Sequence, residues 1–127
     1  MKDKNNNHIL VKVTPNFIEK NSMIEFDKYI FSYEVEIINE SLQAIQIISR
    51  HWVIENSKFE KFEVKGKGVI GEQPTIPSGE VYNYSSFTEL NTPSGFMWGS
   101  YKMLTEGEIR FDVDIPKFKL EMPRILH

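Results

Sequence analysis

Apolar residues recur at nearly every second position along most of this chain. That spacing constrains the fold more than any other feature. Tyr29, Phe31, Tyr33, Val35 and Ile37 alternate with Ile30, Ser32, Glu34, Glu36 and Ile38. Ile109, Phe111, Val113 and Ile115 alternate with Glu108, Arg110, Asp112 and Asp114, where every intervening residue is charged. Successive side chains of a strand point to opposite faces, so a period of two places one face on a core and the other in solvent. Ile9, Val11 and Val13 follow the same rule, as do Phe118, Leu120 and Met122.

Composition agrees. The chain has nine Phe, five Tyr and two Trp but a single alanine, Ala44. Alanine is the best helix former, whereas aromatics suit a pleated, half-buried surface. No window shows a sustained helical stripe; the best helical candidate, Asn16 to Phe26, is short and weakly patterned. Further strands are expected at Ala44–Ile54, Phe59–Val64, Val81–Phe87 and Phe96–Leu104. Ala44–Ile54 is apolar on both faces, which suggests a central strand covered on both sides. Phe59 is out of step with Phe62 and Val64, so a bulge is expected near Glu60 and Lys61. Turn chemistry at Asn39–Ser41, Pro77–Gly79, Thr92–Gly95 and Thr105–Gly107 separates these runs, the last as a hairpin. About seven strands with frequent turns describe a β-sandwich.

At 127 residues the chain fits one domain, expected over residues 8–127 behind a disordered tail at 1–7. Cysteine is absent, which removes disulfides, thiolate zinc sites and thiol nucleophiles. A net charge of -3 argues against an electrostatic footprint for nucleic acid or anionic membrane. No apolar run reaches the roughly 20 residues that span a bilayer, and the polar start MKDKNNNH lacks a secretory apolar segment. The expected location is the cytoplasm, as a monomer or a homo-oligomer.

Gly66-Lys67-Gly68-Val69-Ile70-Gly71 is a literal GxGxxG. A dinucleotide fold needs a helix directly after it, but Glu72-Gln73-Pro74 and then Pro77 follow, and prolines break a helix ladder. No Gly-Lys-Ser/Thr closes it as a phosphate loop. The segment is expected to be a glycine-hinged loop. Lys65 and Lys67, with the backbone of Gly66, Gly68 and Gly71, are the candidate anion site.

Other chemistry is sparse. His8, His51 and His127 are dispersed. Asp112 and Asp114 share a strand face, the usual arrangement of a solvated surface. No serine sits in a nucleophile elbow. No catalytic residue, cofactor or metal site is expected. Arg50 and Trp52 share one strand face and His51 takes the other; tryptophan and arginine are enriched at interface hot spots. Arg50, His51, Trp52 and Gln73 are therefore the candidate contacts for a protein partner, against the alternative of a core Trp52.

Several ordered motifs resemble the bacterial ApaG family. They are Ser49-Arg50-His51-Trp52, Gly66 to Pro74 (GKGVIGEQP), Pro77-Ser78-Gly79-Glu80, Leu90 to Gly95 (LNTPSG), Gly99-Ser100-Tyr101 and the close Met122 to His127 (MPRILH). The resemblance spans nearly the whole chain. It implies a fibronectin-type-III-like sandwich of two antiparallel sheets. It also implies a non-catalytic protein-interaction module, as in some F-box proteins and a protein that interacts with DNA polymerase delta. In bacteria it implies a link to cobalt and magnesium resistance or efflux. The alternative function is binding of phosphate, pyrophosphate or a dinucleoside polyphosphate at the glycine loop.

Overall fold

The computed structural model describes residues 8–124, so the tail expected at 1–7 and the end of the MPRILH stretch lie outside the described residues. The described chain forms eight strands: β1 (Ile9–Phe17), β2 (Tyr29–Asn39), β3 (Ile45–Asn56), β4 (Lys61–Lys67), β5 (Thr75–Ile76), β6 (Val81–Leu90), β7 (Ser94–Thr105) and β8 (Arg110–Glu121). All pairings are antiparallel. One sheet has the order β1-β2-β6, the other β4-β3-β7-β8, with β5 beside β3. The result is the expected two-sheet, all-β sandwich. Asn16–Phe26 forms no α-helix; the end of β1 leads into two single 3-10 turns, Glu19–Asn21 and Ile24–Phe26.

The period-two residues fill the space between the sheets. Tyr29, Phe31, Tyr33, Val35 and Ile37 of β2 are all buried, as are Val113, Ile115 and Leu120 of β8. An aromatic cluster sits at the centre. Trp52 packs edge-to-face on Tyr33 and Phe118, with centroids 5.2 and 5.9 Å away. Buried Asn39 and Asn56 do not break the apolar interior, because each holds a corner through its own hydrogen bonds. Asn39 Nδ2 donates to the Gln43 and Ile76 carbonyls, and Asn56 Oδ1 accepts from the Lys58 and Glu60 amides.

Two register shifts account for the irregular stretches. On β3, Ile47 pairs with Met103 and Ser49 with Lys102, which leaves Ile48 unopposed. This bulge reverses the parity of β3. Ile45 and Ile47 face inward before it, and Arg50, Trp52 and Ile54 after it. Parity reversal, rather than cover on both faces, makes Ala44–Ile54 apolar throughout. The second shift is opposite Trp98, where Pro116 and Lys117 fill one position and fuse the two last expected strands into β8. Proline suits such a site because the bulge asks for no ladder N–H. The bulge expected near Glu60 is absent. Phe59 lies in the β3–β4 turn with φ 68° and is largely exposed, so it never shares a face with Phe62.

The Tyr84 hydroxyl of β6 and the Tyr101 hydroxyl of β7 are hydrogen-bonded to each other across the core. Burial drives both phenols well above the ordinary tyrosine range. The folded state therefore keeps two protons that the unfolded chain releases near pH 10. Stability should hold up to about pH 10 and fall above it, by up to about 1.4 kcal/mol per pH unit for each phenol. Urea titrations across alkaline pH should show this decline, and Tyr84→Phe with Tyr101→Phe should lessen it, leaving the smaller share of Tyr33 and Tyr82, while changing stability little at neutral pH.

Candidate functional site

The bulge at Ile48 decides where each candidate residue goes. Beyond it, Ser49 and His51 face outward and Arg50 and Trp52 face inward. Trp52 is 2% exposed and belongs to the aromatic core. A surface anchor has to be accessible, so Trp52 is corrected from partner contact to core residue.

Arg50 is half-buried at the open side of the sandwich. Its guanidinium lies across the backbone of Gly66 on β4. A Cβ at Gly66 would come within 2.7 Å of it. Arg50 Nη1 donates to the carbonyls of Lys67 and Gly68, at 3.2 and 2.9 Å. Among the described residues Arg50 forms no ion pair with a carboxylate. It is a cation held by carbonyls alone, beside the phenols of Tyr33, Tyr84 and Tyr101, each of which its charge pulls partway back down.

The glycine segment is a tight hairpin docked on the bulge. Val69 and Glu72 exchange backbone hydrogen bonds at 2.8 and 2.9 Å, around Ile70 and Gly71, both at positive φ. The Gly68 amide and Gln73 Nε2 both donate to the Ile48 carbonyl. Val69 is fully buried beneath the turn. The three glycines therefore have structural reasons. Gly66 leaves room for Arg50; Gly68 sits at φ 63°, where a Cβ would come 1.9 Å from the Glu72 carbonyl oxygen; Gly71 sits at φ 79° in open space. The Gly68 amide is taken by the Ile48 carbonyl and those of Val69 and Glu72 by each other's residue, so these three form no nest for an anion. Gln73 is half-buried and acts as a clasp, with its carbonyl accepting from Gln46 Nε2.

The side chains of Lys65 and Lys67 lie on the outer face of the five-stranded sheet; Gly66 lines the same cleft, whereas Gly68 and Gly71 do not. Lys65 pairs across from His51 and Lys67 from Ser49. Ser100 and Lys102 on β7 flank the same two residues. These groups line a shallow cleft of about 750 Å³ together with Arg50, Gly66, Gln73 and Asp112. Lys102 Nζ is 3.1 Å from Asp112 Oδ1. His51 Nε2 lies 3.5 Å from Glu63 Oε1 without a hydrogen bond to it. Sequence reasoning missed Ser100 and Lys102, because strand pairing across distant segments brings them there.

A second feature was also hidden in the sequence. The sheet containing β4 is wider than its partner, and β1 lies against β8 at the opposite side. The inner face of β4 is thus left uncovered: Phe62 is 50% exposed and Val64 42%. Beside it a slot of about 140 Å³ runs between β4 and β6, lined by Tyr33, Arg50, Trp52, Val64, Ser86 and Thr88.

The ApaG domain profile matches residues 19–105. The chain belongs to the ApaG family. The ApaG protein of Nitrosospira multiformis is 44% identical over 119 residues, covering 94% of each chain. That of Bradyrhizobium diazoefficiens is 43% identical, covering 91% of this chain and 88% of the relative. Two solved structures share the fold. The X-ray structure of structural genomics target SoR45 gives a TM-score of 0.90 at 43% identity, over 96% of this chain and 92% of the target. A Bordetella pertussis protein gives 0.89 at 40%, over 92% and 95%. The names of the two ApaG relatives state no reaction. Among the described residues no helix is long and apolar enough to cross a membrane.

The ApaG glycine motif can be tested as architecture. Gly68→Ala combines a left-handed φ with a backbone collision and should cost roughly 3 kcal/mol or more, whereas Gly71→Ala should cost only about 1–2 kcal/mol of left-handed strain. Chemical denaturation of the two variants checks the difference.

Proposed function

We propose that this chain is a cytoplasmic, non-catalytic ApaG binding module that recognises a protein partner through the open flank between β4 and β6. One observation carries the reading. Phe62 and Val64 lie on the core-facing side of β4, yet half their surface stays in water because no strand covers them. Apolar surface of this kind, beside a slot with a positively charged side chain, is the anatomy of an interface patch. Arg50 remains a candidate contact as the cation at its rim, while Trp52 supports the patch from beneath. Among the described residues no three His, Asp or Glu side chains gather as a metal site. On this reading a link to cobalt or magnesium runs through the partner.

Affinity capture from native cytosol tests this. The wild-type chain should recover a partner that is lost with Phe62→Lys and Val64→Lys combined, since both positions are exposed enough to accept lysine without unfolding. Equal recovery by the folded double variant would refute the flank as the site.

A second reading keeps the anion but moves it off the glycine amides. Lys65, Lys67 and Lys102 surround Ser49, His51 and Ser100 on the outer face. On this reading, calorimetry with pyrophosphate gives heat that disappears when the three lysines become alanine. No heat at millimolar pyrophosphate removes it.

A further inference from the structure

We infer that the partner segment is a single extended strand that adds to the free edge of β6, with alternating apolar side chains and one acidic side chain directed at Arg50. This rests on the open-flank reading and specifies how the flank is filled.

The backbone of β6 is available. Asn39 N–H of β2 donates to the Glu80 carbonyl, whereas Glu40 N–H donates to His8 on the β1 side. Odd residues of β2 therefore bond towards β6 and even ones towards β1. By the observed register, Tyr82, Tyr84, Ser86 and Thr88 bond to β2. Val81, Asn83, Ser85 and Phe87 then present their N–H and C=O groups to the free edge.

That edge is also undefended. Natural edge strands are blunted by lysine, proline or bulges. β1 has Lys12 and Pro15; β8 has a bulge at Pro116 with Lys117 and Lys119; β4 has Lys61, Lys65 and Lys67. The outward residues of β6 are neutral from Val81 to Phe87, and its pairing with β2 runs without a register shift.

Geometry selects the occupant. A strand added to β6 would lie over the inner face of β4 and cover Phe62 and Val64. The space beneath it is already filled by β4, so the incoming strand cannot bring a facing sheet of its own. A lone extended segment suffices there, because β4 already supplies the facing strand. Charge then sets its chemistry. Arg50 lines the slot and lacks a carboxylate partner among the described residues. A guanidinium in that state favours an acidic side chain.

The test is selection of random phage-displayed dodecapeptides on the full chain. Enriched peptides should alternate apolar residues with an Asp or Glu in the apolar phase. Their binding should slow hydrogen exchange at the Asn83, Ser85 and Phe87 amides and weaken about tenfold or more in Ser85→Pro. The Ser85 N–H points away from β2, so proline there removes no ladder bond. Should that variant fail to fold, the exchange measurement on the unaltered chain decides. Peptides that lose binding with Phe62→Lys and Val64→Lys but leave the β6 amides unprotected overturn strand addition and leave the flank reading standing. Peptides indifferent to both sets of substitutions, or no enrichment at all, overturn strand addition; the capture experiment then judges the flank separately. A concentration-dependent dimer protected at those amides would replace the lone segment by a second copy. Equal affinity after changing the acidic residue to its amide would overturn the role of Arg50.

Discussion

The Ile48 carbonyl on β3 accepts hydrogen bonds from both the Gly68 amide and Gln73 Nε2. It lies between the stretch of β3 that pairs with β4 and the stretch that pairs with β5. Neither stretch supplies it with a ladder partner, and a backbone carbonyl without a donor is costly. The glycine hairpin supplies two donors and is itself anchored by them. The same extra residue sends Arg50 and Trp52 inward and Ser49 and His51 outward. The aromatic core, the cation at the slot and the outer cleft all depend on that one insertion.

Much of the sandwich was legible in the sequence because alternation is a local signal. Tyr29 to Ile37 gave β2 with the correct buried face, and Val113 and Ile115 gave the first half of β8. Local pattern fails where parity changes. Nothing at Ile48 distinguishes a bulge from a strand buried on both faces, and Phe59 reads as a strand residue until its left-handed φ is known. Pro116 looks like an ending but sits in a bulge that lets the strand continue. The opposite facing of Arg50 and His51 was legible, since it needs only a period of two. Whether the inward face was core or surface was not, because that depends on which sheet lies across from it.

The GxGxxG segment shows how a motif separates from its usual chemistry. A phosphate loop needs free amides at a helix end. Here the amides of Gly68, Val69 and Glu72 face other backbone groups, and the glycines answer to steric limits set by Arg50 and the Glu72 carbonyl. Lys67 of the motif and Lys65 before it turn towards the outer face of the sheet. Residues adjacent in sequence thus serve opposite sides of one sheet.

The placement of β3 between β4 and β7 also has a kinetic side. Its hairpin with β4 forms from neighbouring residues, but its other edge waits for β7, which is made only after β5 and β6. A growing chain therefore carries β3 half-paired through much of its synthesis. Loop-closure entropy opposes that late, long-range pairing, and sandwiches dominated by it fold slowly for their size. An early glycine hairpin docked on β3 would shield part of the waiting strand, so the loop can act during folding as well as in the finished fold.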